Sequence, residues 1–230
     1  MSPARLADAL PSVQTAIVQG PNGVLSIQHN IQLPELRPDH ILVKVAYVGL
    51  NPCDWKMPER FPTPGCVGGC DFSGTVAAVG SDVSRFQIGD RLCGAVHGAN
   101  PIDKSIGSFA DYVLVDAQFA WSVPPYMSFE EAAAAGSGVA LLTLGLVLRK
   151  SLDLPGSFKS PVGEDESKEV LVYAASTAVG TLATQLLKLS VFIIPTLQVI
   201  SPSKSEIHGS QVNLSPNQYI TVMTRFKLKA

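Results

Sequence analysis

The sequence predicts an α+β chain, with a small antiparallel β-barrel first and an incomplete parallel α/β unit after it. Three observations lead there. Residues 62–95 carry seven glycines between short β-rich runs, the spacing of a small antiparallel barrel. Residues 169–190 read EVLVYAASTAVGTLATQLLKLS, which is a buried strand, a tight turn and an amphipathic helix. Between them Ala132–Leu148 holds no charge at all.

Composition sets the limits. The chain has 230 residues, 46% of them hydrophobic and 16% charged, with 19 glycines and 17 prolines. That is a well-buried globular chain rich in turns. A net charge of −2 offers no basic footprint for nucleic acid. The opening MSPARLADALPSV lacks the apolar core of a signal peptide, so a cytoplasmic chain is expected. In that compartment Cys53, Cys66, Cys70 and Cys93 are expected as thiols.

Taken in order, residues 1–12 read as a loose N-terminal arm. Barrel sequence runs over 13–127. Thr15–Val18, Leu25–Gln28 and Ile41–Val48 are predicted strands, the last β-branched with Lys44 its one charge. Gly49–Lys56 (GLNPCDWK) follows, and its Asn51-Pro52 pair predicts an exposed turn. A polar loop hung on a rigid strand is a common seat of function. Phe109–Val115 continues the barrel. Residues 128–150 are predicted as buried connecting helices with a glycine break. Glu130 and Glu131 at the start and Arg149 and Lys150 at the end suit the helix dipole. A membrane span is the rival reading, but spans need about 20 apolar residues and this run is broken by Gly136, Ser137, Gly138 and Gly145. Residues 151–168 are polar and read as an exposed linker.

In the α/β stretch, Val170–Tyr173 form the strand. Val179, Leu182, Ala183, Leu186 and Leu187 share one helix face, opposite Thr181, Thr184, Gln185 and Lys188. Strand, turn and helix open a dinucleotide-binding fold, with the turn beneath a pyrophosphate. The G-x-G-x-x-G positions are Ala175, Thr177 and Gly180, so only the last glycine stands. Ser176 and Thr177 are candidates to donate to phosphate, or for one of them to cap the helix. An ordinary capped βα unit is the alternative.

The order NPCDWK, GCDFSGTVAAVG, FQIGDRLCGAVHGAN, GSFADYVLVD and VLVYAASTAVGTLATQLLKLS resembles the zinc-free branch of the medium-chain dehydrogenase/reductases over residues 13–190. It is most similar to the fungal trans-acting enoyl reductases that partner polyketide synthases, with quinone oxidoreductases as near relatives. The resemblance implies a GroES-like barrel and a Rossmann-type domain that holds NADPH in the cleft between them. It implies that Cys53, Asp54, Trp55 and Lys56 border the nicotinamide. Ser176, Thr177, Ala178, Val179 and Gly180 would hold the phosphates. Leu141, Leu142, Thr143, Leu144, Gly145, Leu146, Val147 and Leu148 would line an acyl pocket. Lys56 is the catalytic candidate, positioning cofactor or polarising the site, unless it is simply a solvated surface lysine. The implied partner is the acyl carrier domain of a polyketide synthase presenting an enoyl thioester, with no nucleic acid or membrane, and the chain acting as a monomer.

Two departures from the family pattern stand out. Zinc-dependent relatives place a cysteine where this chain has Asn51, and Gly-His-Glu where it has Gly69-Cys70-Asp71. They also carry a four-cysteine zinc lobe that is absent here. Cys66 and Cys70 are spaced for a zinc half-site, but no second pair sits nearby, so no metal is expected. The second departure begins at Val191, where the family continues with glycine and further βα units. Residues 191–230 are therefore expected to be a divergent tail, as from an unspliced junction, since valine codons begin with GT. In that case the Rossmann domain is truncated. Three functions remain in view: an enoyl reductase by descent, impaired by truncation; a quinone or enone oxidoreductase; and a non-catalytic fragment.

Overall fold

The computed structural model describes residues 5–6, 10–135, 138–152, 154, 159–160, 170–172, 177–189 and 220–222. It comprises two compact units, Met1–Val139 and Ala140–Ala230.

The first unit runs β1 (Arg5–Leu6), β2 (Val13–Gln19), β3 (Leu25–Gln32), β4 (His40–Gly49), α1 (Pro52–Arg60), β5 (Asp71–Val79), β6 (Arg91–Ala95), β7 (Tyr112–Asp116), β8 (Ala120–Ser122) and α2 (Phe129–Ala135). One antiparallel sheet has the order β7-β4-β5-β6-β8, and β1 pairs with the end of β5. β2 and β3 form a hairpin sheet of their own, joined to the rest by single bridges from Ala16 to Ala110 and from Val18 to Val67. The three predicted strands are present, each longer by a few residues than its apolar pattern. β5 is buried along nearly its whole length, and Phe72, Val76 and Val79 pack with Ile41 and Val43 of β4, Leu92 of β6 and Val113 of β7. Each such side chain contributes roughly 1.5–3 kcal/mol by leaving water.

The chain at Asn51–Arg60 departs from expectation. It is a nine-residue helix, α1, where the Asn-Pro pair predicts a turn. The same pair serves as N-cap and first helical residue, where proline's missing N–H is no loss. Asp54, three residues past Asn51, accepts the Asn51 backbone N–H at 2.7 Å. α2 begins likewise: Ser128 Oγ accepts the Glu131 N–H at 3.1 Å while Glu131 accepts the Ser128 N–H at 2.9 Å, a reciprocal capping box. Two contacts lash α2 to the sheet. Ser73 Oγ donates to Phe129 O at 2.6 Å, and Arg91 donates to Pro124 O and Met127 O with its guanidinium 4.5 Å over the Phe129 ring. Gly49 makes room for α2, since a Cβ there would sit 2.5 Å from Ala133 O.

α3 (Gly138–Gly145) leads into a π-helical turn at Leu146–Ser151. Gly136 and Ser137, the rest of the predicted break, lie outside the described residues. By length and composition alone Phe129–Ser151 could cross a bilayer; a buried core helix meets the same measure. Its Ala132, Ala133, Ala140 and Leu144 are all buried.

In the second unit, β9 (Val170–Val172) pairs in parallel with β10 (Ile220–Val222). α4 (Ala178–Leu189) turns the predicted face inward. Ala183 and Leu187 are buried with Leu144, Leu154 and Val172, and Val179, Leu182 and Leu186 pack on that cluster. The predicted linker is exposed at Ser151, Lys159 and Ser160 but buried at Leu154. Leu154 is only 4% exposed, and Leu152 packs on the same cluster, because two leucines in a polar run have an apolar core within reach. Most of the remaining linker and tail lies outside the described residues.

Candidate active site

The site is built where β4 ends and α1 begins. The side-chain amide of Asn51 donates to Asp71 Oδ2 at 2.8 Å. Asp71 opens β5 and is 1% exposed. Its other oxygen accepts the Val139 backbone N–H at 3.0 Å, in the first turn of α3. One buried carboxylate therefore joins the starts of two helices to the central strand. Burial pushes the Asp71 carboxyl up, and the bonds from Asn51 and Val139 pull against that.

Below it, Asp54 is 7% exposed. One of its oxygens holds the start of α1; the other, Oδ1, is buried with no hydrogen-bond partner among the described residues. Burial raises its carboxyl above the usual range. Cys53 Sγ, Cys70 Sγ and an Asp54 oxygen lie within 4.8 Å of one another. The neighbouring Cys70 lowers the Cys53 pKa, against partial burial and the nearby Asp54 and Asp71 charges. Cys70 is pushed far up by its Cys53 neighbour and by burial. Gly69 positions Cys70: its φ is +85°, and a Cβ there would strike the Phe109 ring and Ser108 Oγ, a backbone state that favours glycine. Cys66 does not form a half-site with Cys70. Its Sγ donates to Asn100 O at 3.2 Å, away in the loop.

Trp55 and Lys56 face outward on α1. Trp55 is 57% exposed, and the Lys56 ammonium lies 5.1 Å over its ring. Such a contact holds the cation along the helix surface. In the second unit Thr177 caps α4. Its Oγ1 accepts the Gly180 N–H at 3.1 Å, and its carbonyl accepts the Thr181 N–H. Ala178 is exposed, Val179 half-buried and Gly180 buried; Ser176 lies outside the described residues. The acyl-pocket candidates divide. Leu144 and Leu148 belong to the core of the second unit. Leu142, Gly145 and Leu146 are exposed, and Leu141, Thr143 and Val147 are half-buried.

Sequence reasoning placed Cys53, Asp54, Trp55 and Lys56 together but missed the Asn51–Asp71–Val139 link and the Cys53–Cys70 contact. The available signal was the pair of positions, Asn51 and Gly69-Cys70-Asp71, at which the chain departs from zinc-dependent relatives. Asn51 and Asp71 of those two positions meet here.

Residues 37–125 match the alcohol dehydrogenase GroES-like domain. A trans-enoyl reductase of Aspergillus flavipes is 67% identical over 195 residues, 83% of this chain and 53% of that protein. Another, from Phaeosphaeria nodorum, is 59% identical over 167 residues, 71% of this chain and 48% of that one. Among solved structures, the quinone oxidoreductase of Coxiella burnetii is 28% identical with a TM-score of 0.55, over 79% of this chain and 55% of that one. The chain spans about half the length of the curated relatives it matches. A GroES-like unit followed by part of a Rossmann-type unit, with such relatives, makes this chain similar to about half of a medium-chain dehydrogenase/reductase of the kind found in the fungal trans-enoyl reductases.

Proposed function

We propose that the chain derives from an NADPH-dependent enoyl reductase that acts in trans on an α,β-unsaturated thioester carried by a polyketide synthase acyl carrier domain. The observation that carries this is the 67% identity to a trans-enoyl reductase over 195 residues, which takes in both the α1 cluster and the start of α4. The reading is of a cytoplasmic chain, and of a reaction that needs no metal.

The residues present suit a dinucleotide. The start of a twelve-residue helix presents backbone N–H groups without intrahelical partners, and these favour a phosphate. The Thr177 hydroxyl that accepts from Gly180 can also donate. NADPH, when bound, supplies a hydride to the β-carbon of the thioester. The chain's part is to bind and orient. Lys56 offers an exposed cation on a capped helix, suited to a phosphate or to the oxygen on which charge gathers. Leu142 and Leu146 offer apolar surface to an acyl chain.

The test measures NADPH binding by fluorescence and NADPH consumption with an enoyl-pantetheine thioester. Binding with turnover of the thioester supports the reading. Turnover of a quinone but not the thioester supports the quinone oxidoreductase alternative, which the likeness to the Coxiella enzyme favours. No NADPH binding would leave a non-catalytic fragment.

A further inference from the structure

We propose that Cys53 and Cys70 form a reversible two-electron dithiol site, which a peroxide oxidises to an intramolecular disulfide between the start of α1 and the residue before β5. Four observations converge on it. The two sulfurs lie within 4.8 Å of each other and of an Asp54 oxygen. Asp54 Oδ1 beside them is buried and unpartnered, so the pocket holds an acceptor that a thiol proton can use. Both cysteines are partly open to solvent, whereas Cys66 and Cys93 are buried. Finally, they sit on different segments, so the bond would lock α1 to β5 rather than close a trivial turn.

The geometry assigns the roles. Cys53 is the second residue of α1, where helix N–H groups favour a thiolate, and Cys70 beside it lowers its pKa. Cys53 is the attacking sulfur and Cys70 the resolving one. The Cys53 thiolate displaces hydroxide from hydrogen peroxide and becomes a sulfenic acid. The Cys70 sulfur then attacks the Cys53 sulfur and expels water. In sum two thiols and one peroxide give one disulfide and two waters; two electrons pass from sulfur to peroxide oxygen. Closing from within 4.8 Å to an S–S length of about 2.05 Å needs the two sulfurs to approach. The charges facing the pair are those of Asp54 and Asp71, both of which disfavour a thiolate on Cys53, and the neighbouring Cys70 acts against them.

The test needs no cofactor, so its outcome is separate from that of the proposed function. The reduced chain is treated with stoichiometric hydrogen peroxide, alkylated with iodoacetamide and cut with trypsin without reductant. Peptide 45–56 contains Cys53, and peptide 61–85 contains Cys66 and Cys70. The expected product is the two peptides joined, two hydrogens lighter than their sum, and separated by dithiothreitol. Cys66→Ala keeps the link. Cys70→Ser abolishes it and leaves a dimedone-reactive sulfenic acid on Cys53. Recovery of Cys53 and Cys70 as alkylated thiols after peroxide would overturn the proposal. So would a link that vanishes in Cys66→Ala.

Discussion

Asp71→Ala tests the role of the buried carboxylate directly. In the wild type Asp71 accepts from the Asn51 amide at 2.8 Å and from the Val139 N–H at 3.0 Å. A hydrogen bond to a charged group contributes about 1.5–3 kcal/mol, so two give a gross loss of roughly 3–6 kcal/mol. Relief of the desolvated charge offsets part of this, and the net loss should be about 2–4 kcal/mol. Urea unfolding followed by tryptophan fluorescence reads it: at about 2 kcal/mol per molar urea, the midpoint should fall by roughly 1–2 M. Asp71→Asn keeps an acceptor for Val139, and Asn51 can turn its own oxygen toward the new amide. It should cost only about 1 kcal/mol. The exchanged pair Asn51→Asp with Asp71→Asn should recover more stability than the single changes predict, by an interaction energy of about 0.5–3 kcal/mol. An Asp71→Ala midpoint within error of wild type would refute the reasoning, and so would an Asp71→Asn chain as unstable as Asp71→Ala.

Other outcomes follow from the same geometry. Lys56→Ala should weaken NADPH binding by roughly tenfold or more with only a small fall in the urea midpoint, since Lys56 is exposed and its contact with the Trp55 ring is worth about 0.5–1 kcal/mol; unchanged affinity would reject its role. Thr177→Ala should weaken NADPH binding comparably and also lose about 1 kcal/mol of stability through the α4 cap, while Thr177→Ser keeps both; a Thr177→Ala chain unchanged in both measurements would reject the assignment. Asp54→Asn should gain on the wild type as pH rises. The buried Asp54 carboxyl has a raised pKa, so its protonated form stabilises the fold fully below the unfolded value of about 3.9, and that contribution is lost as pH rises through the folded value. Urea midpoints of the two proteins that stay parallel from about pH 4 upward would contradict this. Elemental analysis of the dialysed chain should return well under one zinc per chain, since Asn51 and Cys70 stand where zinc-dependent relatives carry ligands; a stoichiometric zinc would sink that expectation.

The strands and α4 were legible because their patterns are local. Ile41–Val48 alternates and branches as a strand must, and the α4 face from Val179 to Leu187 repeats at helical spacing. α1 was missed because Asn-Pro opens turns and helices alike. What separates them is Asp54 three residues on, whose carboxylate reaches back to Asn51. The burial of Leu154 was hidden by its polar neighbours, since a single leucine carries no period. The Asn51–Asp71 and Cys53–Cys70 contacts join residues about twenty positions apart. No spacing rule reports them, because the pairing of β4 with β5 is what brings them together.

The way α2 is fastened has a practical consequence for where the gene can be cut. The strands of the first unit end at Ser122, which suggests a stop near residue 127. A stop there would strip Ser73 of its acceptor at Phe129, remove the ring beneath Arg91, and take Val139 from Asp71. The central strand would meet water along the flank that α2 covers. An expression fragment ending at Val139 keeps every one of these partners. It should give the sharper amide spectrum of the two.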